Sequence, residues 1–253
     1  TIGLACALSC VIQINFKCLS SKKHFSPSVV LMIPSVVVIA ATQSRKALVF
    51  LTVGVLEYAF IKVQRSQKSI FIKGFKILFG ILILVFIFYW ILQLDIFEGI
   101  RERMESLLNA IFGNGQVDHS TIFRNTLKAL GIEWFLRYPF GGIGIANPHI
   151  LANYYYSFDA YLHDNFVELL CGGGIIGFGI YYSMYVYLFI QLWKYRKTDK
   201  QRVTFFAMWL GLMFAMDYGM VTYYEKSNNF YLMIHFFYVF QLKKKAALEK
   251  GNI

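Results

Sequence analysis

The sequence predicts an all-α fold: a polytopic integral membrane helical bundle with a large extracytoplasmic loop containing short helices. Three observations carry this. Hydrophobic residues make up 57% of the 253, where a soluble domain holds roughly 45–50%, and mean hydropathy is positive. The apolar residues gather into runs approaching the ~20 needed to cross hydrocarbon. Basic residues cluster after alternate runs, as the positive-inside rule requires of cytoplasmic loops.

Seven runs read as spans: Thr1–Phe16, Pro27–Thr42, Ala47–Ile61, Gly74–Leu94, Phe166–Trp193, Val203–Met220 and Asn229–Leu242. The second and third are joined only by Gln43-Ser44-Arg45-Lys46, which predicts a tight helical hairpin, and Pro34 is placed to kink the second. The chain opens at Thr1 on an apolar stretch, with no basic segment or cleavage site of a signal peptide ahead of it. It therefore reads as the carboxyl-terminal part of a longer protein. No internal repeat is visible, so 1–253 is read as a single membrane domain.

Charge placement orients the bundle. Lysine and arginine clusters follow the first, third, fifth and seventh runs (Lys17–Lys23, Lys62–Lys76, Lys194–Arg202 and Lys243–Lys250) and hold seventeen of the 25 basic residues. Alternation puts all four on one side, which is cytoplasmic. These flanking cations account for the net charge of +11 without nucleic acid. The four cysteines, Cys6, Cys10, Cys18 and Cys171, lie in or beside apolar runs with no CxxC pair, which argues against a disulfide framework and a cysteine zinc site.

The opposite face carries Gln43–Lys46, the long segment 95–164 and Asp217–Asn228, with most of the acids. A loop as long as 95–164 is uncommon without a function, so it is read as the extracytoplasmic catalytic loop. Within it Ile96–Phe112 has apolar residues at helical spacing and charges between them, an amphipathic helix ended by Gly113-Asn114-Gly115. Thr121–Tyr138 gives a second helix, stopped before Pro139.

Several residues in these loops suit chemistry. Arg45, held at the membrane surface by its short hairpin, reads either as a helix-end arginine snorkelling to lipid phosphates or as a bidentate cation for a phosphate-bearing substrate. Arg124 and Lys128 share a helix face, and two cations at that spacing repel unless an anion binds between them or water solvates both. Pro139-Phe140-Gly141-Gly142-Ile143-Gly144 reads as a turn; with no strand before it, it is not a nucleotide fingerprint. Tyr154, Tyr155, Tyr156, Phe158 and Tyr161 form an interfacial aromatic belt whose flat faces also suit sugar rings. Asn165 and Glu168 have the N-cap and N3 spacing of a capping box. Gly173 and Gly177 make a GxxxG, read as a site of close helix packing, with a broken segment lining a cavity as the second reading of the glycines. His163 falls just outside this helix, with a side chain able to take a proton near neutral pH. His119, His149, Asp159, His163 and Asp164 show no recurrent metal-ligand spacing, so no metal is expected.

Taken in order, these residues resemble the O-antigen polymerase and O-antigen ligase superfamily of bacterial surface polysaccharide enzymes. Thr42-Gln43-Ser44-Arg45-Lys46-Ala47 is similar to the family's Ser-Arg-x-Ala hairpin. Arg124, Trp134 and Pro139-Phe140-Gly141-Gly142-Ile143-Gly144 resemble its loop element. His163-Asp164-Asn165-Phe166-Val167-Glu168-Leu169-Leu170, followed by Gly173-Gly174-Ile175-Ile176-Gly177, resembles its His-Asn-x-x-Leu-x-x-Leu and Gly-Ile-x-Gly element. The resemblance covers roughly Thr42 to Leu192. It departs at Asp164, inserted between His163 and Asn165, and at Cys171-Gly172, where an acid is often found. The chain also has fewer spans than the family's usual ten or more.

The resemblance implies metal-independent glycosyl transfer, with no cofactor, from a polyprenyl-diphosphate-linked oligosaccharide at the outer face of the bacterial cytoplasmic membrane. His163 would be general base, with Arg45 and Arg124 holding the diphosphate and stabilising the leaving group. Lys128, Tyr161 and Asp164 would join Arg45 and Arg124 in contacting substrate. The expected activity is repeat-unit polymerisation for capsule, O-antigen or exopolysaccharide, alongside a flippase and a chain-length regulator in the lipid bilayer. A ligase with the same chemistry is the nearest alternative, and a lipid-linked oligosaccharide flippase a further one.

Overall fold

The computed structural model describes residues 119–251 without a break and scattered residues before them. The chain divides into two compact units, Thr1–Val117 and Asp118–Ile253. The expected spans Thr1–Phe16, Pro27–Thr42 and Ala47–Ile61, the amphipathic helix Ile96–Phe112, and Arg45 lie largely or wholly outside the described residues, and Gly74–Leu94 is described at only about half its positions.

The second unit is built from helices, and no strand occurs among the described residues. They are α1 (His119–Arg137), α2 (Pro148–Tyr156), α3 (Asn165–Lys194), α4 (Lys200–Met216) and α5 (Lys226–Gly251). The helix expected at Thr121–Tyr138 is α1, and it stops where Pro139 denies its predecessor the helical conformation. Leu127, Leu130 and Gly131 are its buried residues. A Cβ at Gly131 would stand 2.6 Å from Val167 Cγ1 and closer still to the Leu162 side chain, so the glycine sets how near α1 lies to the start of α3.

Helix α2 was not anticipated from the sequence, although Pro148 at its first turn is a start signal. It ends at Ser157, which takes the left-handed conformation and donates its N–H to the Asn153 carbonyl at 2.8 Å. Leu127, Ala152, Ala160, Leu162 and Cys171 then form one buried cluster, with Phe123, Trp134, Ile143, Leu151 and Val167 packed around it. One apolar core thus joins α1, α2, the loop that follows it and the first half of α3.

Among the described helices, α3 alone is long and apolar enough to cross a membrane. Its second half has two faces. Tyr181, Tyr185, Leu188 and Leu192 recur at helical spacing and are buried, while Ile176, Ile180, Ile190 and Trp193 are exposed. An exposed apolar stripe on so hydrophobic a helix suits contact with lipid better than with water. The spans expected at Val203–Met220 and Asn229–Leu242 fold as α4, which stops at Met216, and α5, which runs on to Gly251. Buried His235 ties these two together, its ring nitrogens 2.8 Å from the Tyr231 carbonyl within α5 and 3.1 Å from the Phe206 carbonyl of α4.

Helix α3 is broken at Gly174, whose backbone (φ 59°, ψ −166°) is not helical. A break strands the last carbonyls of one half and the first N–H groups of the other. The loop 139–144 supplies their partners. Ile143 and Gly144 donate N–H to the Cys171 and Gly172 carbonyls at 2.9 and 2.8 Å, and Pro139 and Phe140 accept from the N–H groups of Ile175 and Ile176 at 2.8 and 3.3 Å. A Cβ on Gly174 would collide with the Phe140 carbonyl and stand 2.7 Å from the Gly141 nitrogen, in a backbone region that favours glycine in any case. The loop read as a plain turn is therefore a splint for a broken helix. Among the described residues, the nearest atom to a Cβ built at Gly173 or Gly177 is Ile145 Cδ1, at 3.1 and 4.0 Å, which belongs to the loop before α2.

Candidate active site

The site lies where α3 begins. The capping box expected from Asn165 is shifted by one residue, because Asp164 is the N-cap. Its extended backbone lets Oδ1 accept from the N–H groups of Phe166 and Val167 at 3.0 and 3.2 Å. A carboxylate suits this position better than an amide, since it also faces the positive end of the helix dipole. Glu168 does not reach back to the capping residue. It accepts the Leu162 N–H at 2.7 Å, a buried bond that fixes the chain two residues earlier.

Asn165 is released for other work. Its Nδ2 donates to Tyr182 Oη at 3.0 Å, and its Oδ1 accepts from the N–H groups of Thr222 and Tyr223 at 2.8 and 3.0 Å. Its own N–H reaches the Asp217 carbonyl at 2.8 Å. Tyr182 Oη donates to Asp217 Oδ2 at 2.9 Å, and the Thr222 hydroxyl donates to Oδ1 of the same carboxylate. Asn165, Asp217 and Thr222 are all buried. This knot binds the start of α3 to the end of α4 and the loop beyond it. The sequence signalled it only as a single acid, Asp217, at the edge of an apolar run.

Between these anchors sits His163, with φ 59°. Few non-glycine residues hold this left-handed region, and those that do cluster at functional sites. Leu162 on one side is pinned through Glu168, and Asp164 on the other is committed to the cap. The imidazole lies 4.3 Å from the Tyr161 ring, centroid to centroid.

Lys128 joins this segment to α1. Its Nζ stands 2.8 Å from Asp164 Oδ2, donates to the Tyr218 carbonyl at 3.3 Å, and lies over the Tyr218 ring at 4.3 Å. Lys128 and Asp164, both expected to touch substrate, are thus ion-paired with each other. Arg124 lies one turn earlier on the same face of α1, half-buried, and makes no hydrogen bond or ion pair among the described residues. The Lys128–Asp164 pair therefore brings the Arg124 face of α1 to the flank of His163. Arg45 is outside the described residues.

Beside this segment opens a cavity of about 380 Å³, lined by Ala146, His149, Asp159, Ala160, Tyr161, Glu168 and Tyr224. Burial, and then the charge of Glu168, pushes the Tyr224 phenol up to about 12, so it stays protonated and can donate. None of His149, Asp159, Glu168 and Tyr224 stood out as a substrate contact in the sequence, because four separate segments bring them together. Among the described residues no three His, Cys, Asp or Glu side chains gather as a metal site.

Comparison with known proteins gives one family. Residues 28–182, more than half of the chain, match the O-antigen ligase family, and this stretch holds Arg45, Arg124, Lys128, Tyr161, His163 and Asp164. No curated protein matches the chain.

Proposed function

The chain belongs to the O-antigen ligase family, and we propose that within it this protein is a polysaccharide repeat-unit polymerase. It transfers a polyprenyl-diphosphate-linked glycan onto a lipid-linked repeat unit, at the outer face of the bacterial cytoplasmic membrane. The observation that supports this reading best is His163, held in a left-handed conformation between two anchored neighbours and tied to the arginine-bearing face of α1.

The roles follow from the chemistry of each group. His163 takes the proton from an acceptor hydroxyl as its oxygen bonds to the anomeric carbon. The bond from that carbon to the diphosphate oxygen breaks, and polyprenyl diphosphate leaves. Arg124, with its guanidinium uncommitted among the described residues, and Arg45 in the hairpin hold the diphosphate and offset the charge that develops on it. Tyr161 borders the acceptor. Lys128 and Asp164 position the imidazole by locking α1 to the cap of α3. The chain acts as one multi-pass membrane domain with 95–164 as its outward-facing catalytic loop, and works with a flippase and a chain-length regulator.

The ligase reading is favoured by the description of the family itself, and differs only in acceptor. Glycan analysis in a strain lacking the gene separates the two. Single repeat units left on the lipid carrier are expected for a polymerase; full-length chains retained on the carrier would make it a ligase. Complementation with a His163→Ala variant of the complete protein is expected to lower transfer about 100-fold or more. Normal transfer by that variant would remove His163 as the base.

A further inference from the structure

We infer that the cavity lined by His149, Asp159, Tyr161, Glu168 and Tyr224 is a carbohydrate subsite that holds the acceptor sugar beside His163. This rests on the transfer reading above and adds to it where the acceptor lies and which residues bind it.

Size is the first support. At about 380 Å³ the cavity falls within the range of small-molecule sites, roughly 300–1,000 Å³. It accommodates a sugar unit and is too small for a folded partner.

Its chemistry is the second. A pyranose offers hydroxyl groups around its rim and patches of C–H on its faces. Asp159 and Glu168 are acceptors for hydroxyl protons, His149 adds a ring nitrogen, and Tyr161 and Tyr224 present aromatic faces together with hydroxyls. The Asp159 carboxylate disfavours a diphosphate, so this wall suits the uncharged part of the substrate. Arg124 suits the phosphates.

Position is the third. Tyr161 lines the cavity and is also in ring contact with His163, at 4.3 Å between centroids. A sugar resting on Tyr161 thus has its hydroxyls next to the imidazole that the transfer reading needs. Glu168 serves the cavity and the backbone at once, since it lines the wall while accepting the Leu162 N–H.

The test uses the full chain in lipid nanodiscs. The probe is the glycan released by mild acid from the lipid carrier of a strain lacking the gene, with binding followed by saturation-transfer NMR. Wild type is expected to bind it, and Ile180→Ala, on the exposed face of α3, to bind it equally. Asp159→Asn and Tyr224→Ala are each expected to weaken binding about tenfold, the loss of one well-made contact. Asp159 is exposed, so its isosteric replacement leaves folding intact, and equal thermal midpoints check this for both variants. Undiminished binding by both pocket variants, or no binding by wild type, would overturn the subsite. Normal transfer by His163→Ala, with binding still lost in the pocket variants, would overturn the transfer reading and leave the subsite standing.

Discussion

The two halves of α3 are one helix by hydrogen-bonding pattern and two by environment. The half before Gly174 is buried almost throughout and carries Asn165, Glu168 and Cys171 inward. The half after it shows tyrosines and leucines to α4 and α5 and a row of isoleucines outward. The first is held by polar bonds to four other segments. The second packs one face against α4 and α5, joins Tyr181, Tyr182 and Tyr185 by hydrogen bonds to Asp217, Thr222 and Asn228, and exposes its other face. The lesson is that the segment most apolar by sequence is built at its amino-terminal end like the interior of a polar site. Hydropathy sees only the half with the exposed apolar row.

The division at Gly174 is where that contrast is easiest to break. Gly174→Ala forces a side chain onto the Phe140 carbonyl in a left-handed backbone, and should separate the splinting loop from the helix. A loss of about 3 kcal/mol or more is expected, read as a lowered denaturation midpoint in detergent. A midpoint equal to that of wild type would mean that the two halves do not depend on the loop.

Asn165→Ala tests the polar half alone. It removes the amide that serves Tyr182, Thr222 and Tyr223 and leaves their buried donors and acceptor without it. About 2 kcal/mol should be lost, and amide exchange should quicken at Thr222 and Tyr223 ahead of α1. Protection that stays unchanged there would show that the knot closes without its amide.

The exposed face of the second half should be the least sensitive. Ile180 is 68% exposed, so Ile180→Ala should shift stability by less than about 0.5 kcal/mol, whereas Leu188→Ala on the buried face should cost about 2–5 kcal/mol. Equal costs at the two positions would dissolve the distinction between the faces.

How much of this was readable in the sequence follows the same line. Helix α1 was legible because a proline ends it and its apolar residues repeat at helical spacing. The span in α3 was legible because lipid selects composition directly. The cap was misplaced by one residue because Asp164 and Asn165 both suit an N-cap, and the choice is made by Lys128, thirty-six residues earlier. The work of Asn165 was hidden because three of its partners, the Asp217 carbonyl and the N–H groups of Thr222 and Tyr223, are more than fifty residues ahead and belong to the main chain. The splint was hidden for a related reason. Bonds between main chains leave no side-chain trace except the glycines that let them approach, and glycines alone also read as a turn. His163 stood out because no packing role claimed it, and its strained backbone agrees with that.

The splint at 139–144 also bears on the order of biosynthesis. The loop leaves the ribosome before the break it supports, so the exposed groups at Gly174 meet a partner that already exists. The knot around Asn165 must wait for Asp217, Thr222 and Tyr223, which emerge only after α4. A nascent chain stalled just after Lys194 should therefore hold its broken helix together while the flank of His163 is still open. Protease nicking of such stalled chains near Ser157–His163, lost once translation passes Glu225, would show that the end carrying His163 is the last part to be shut.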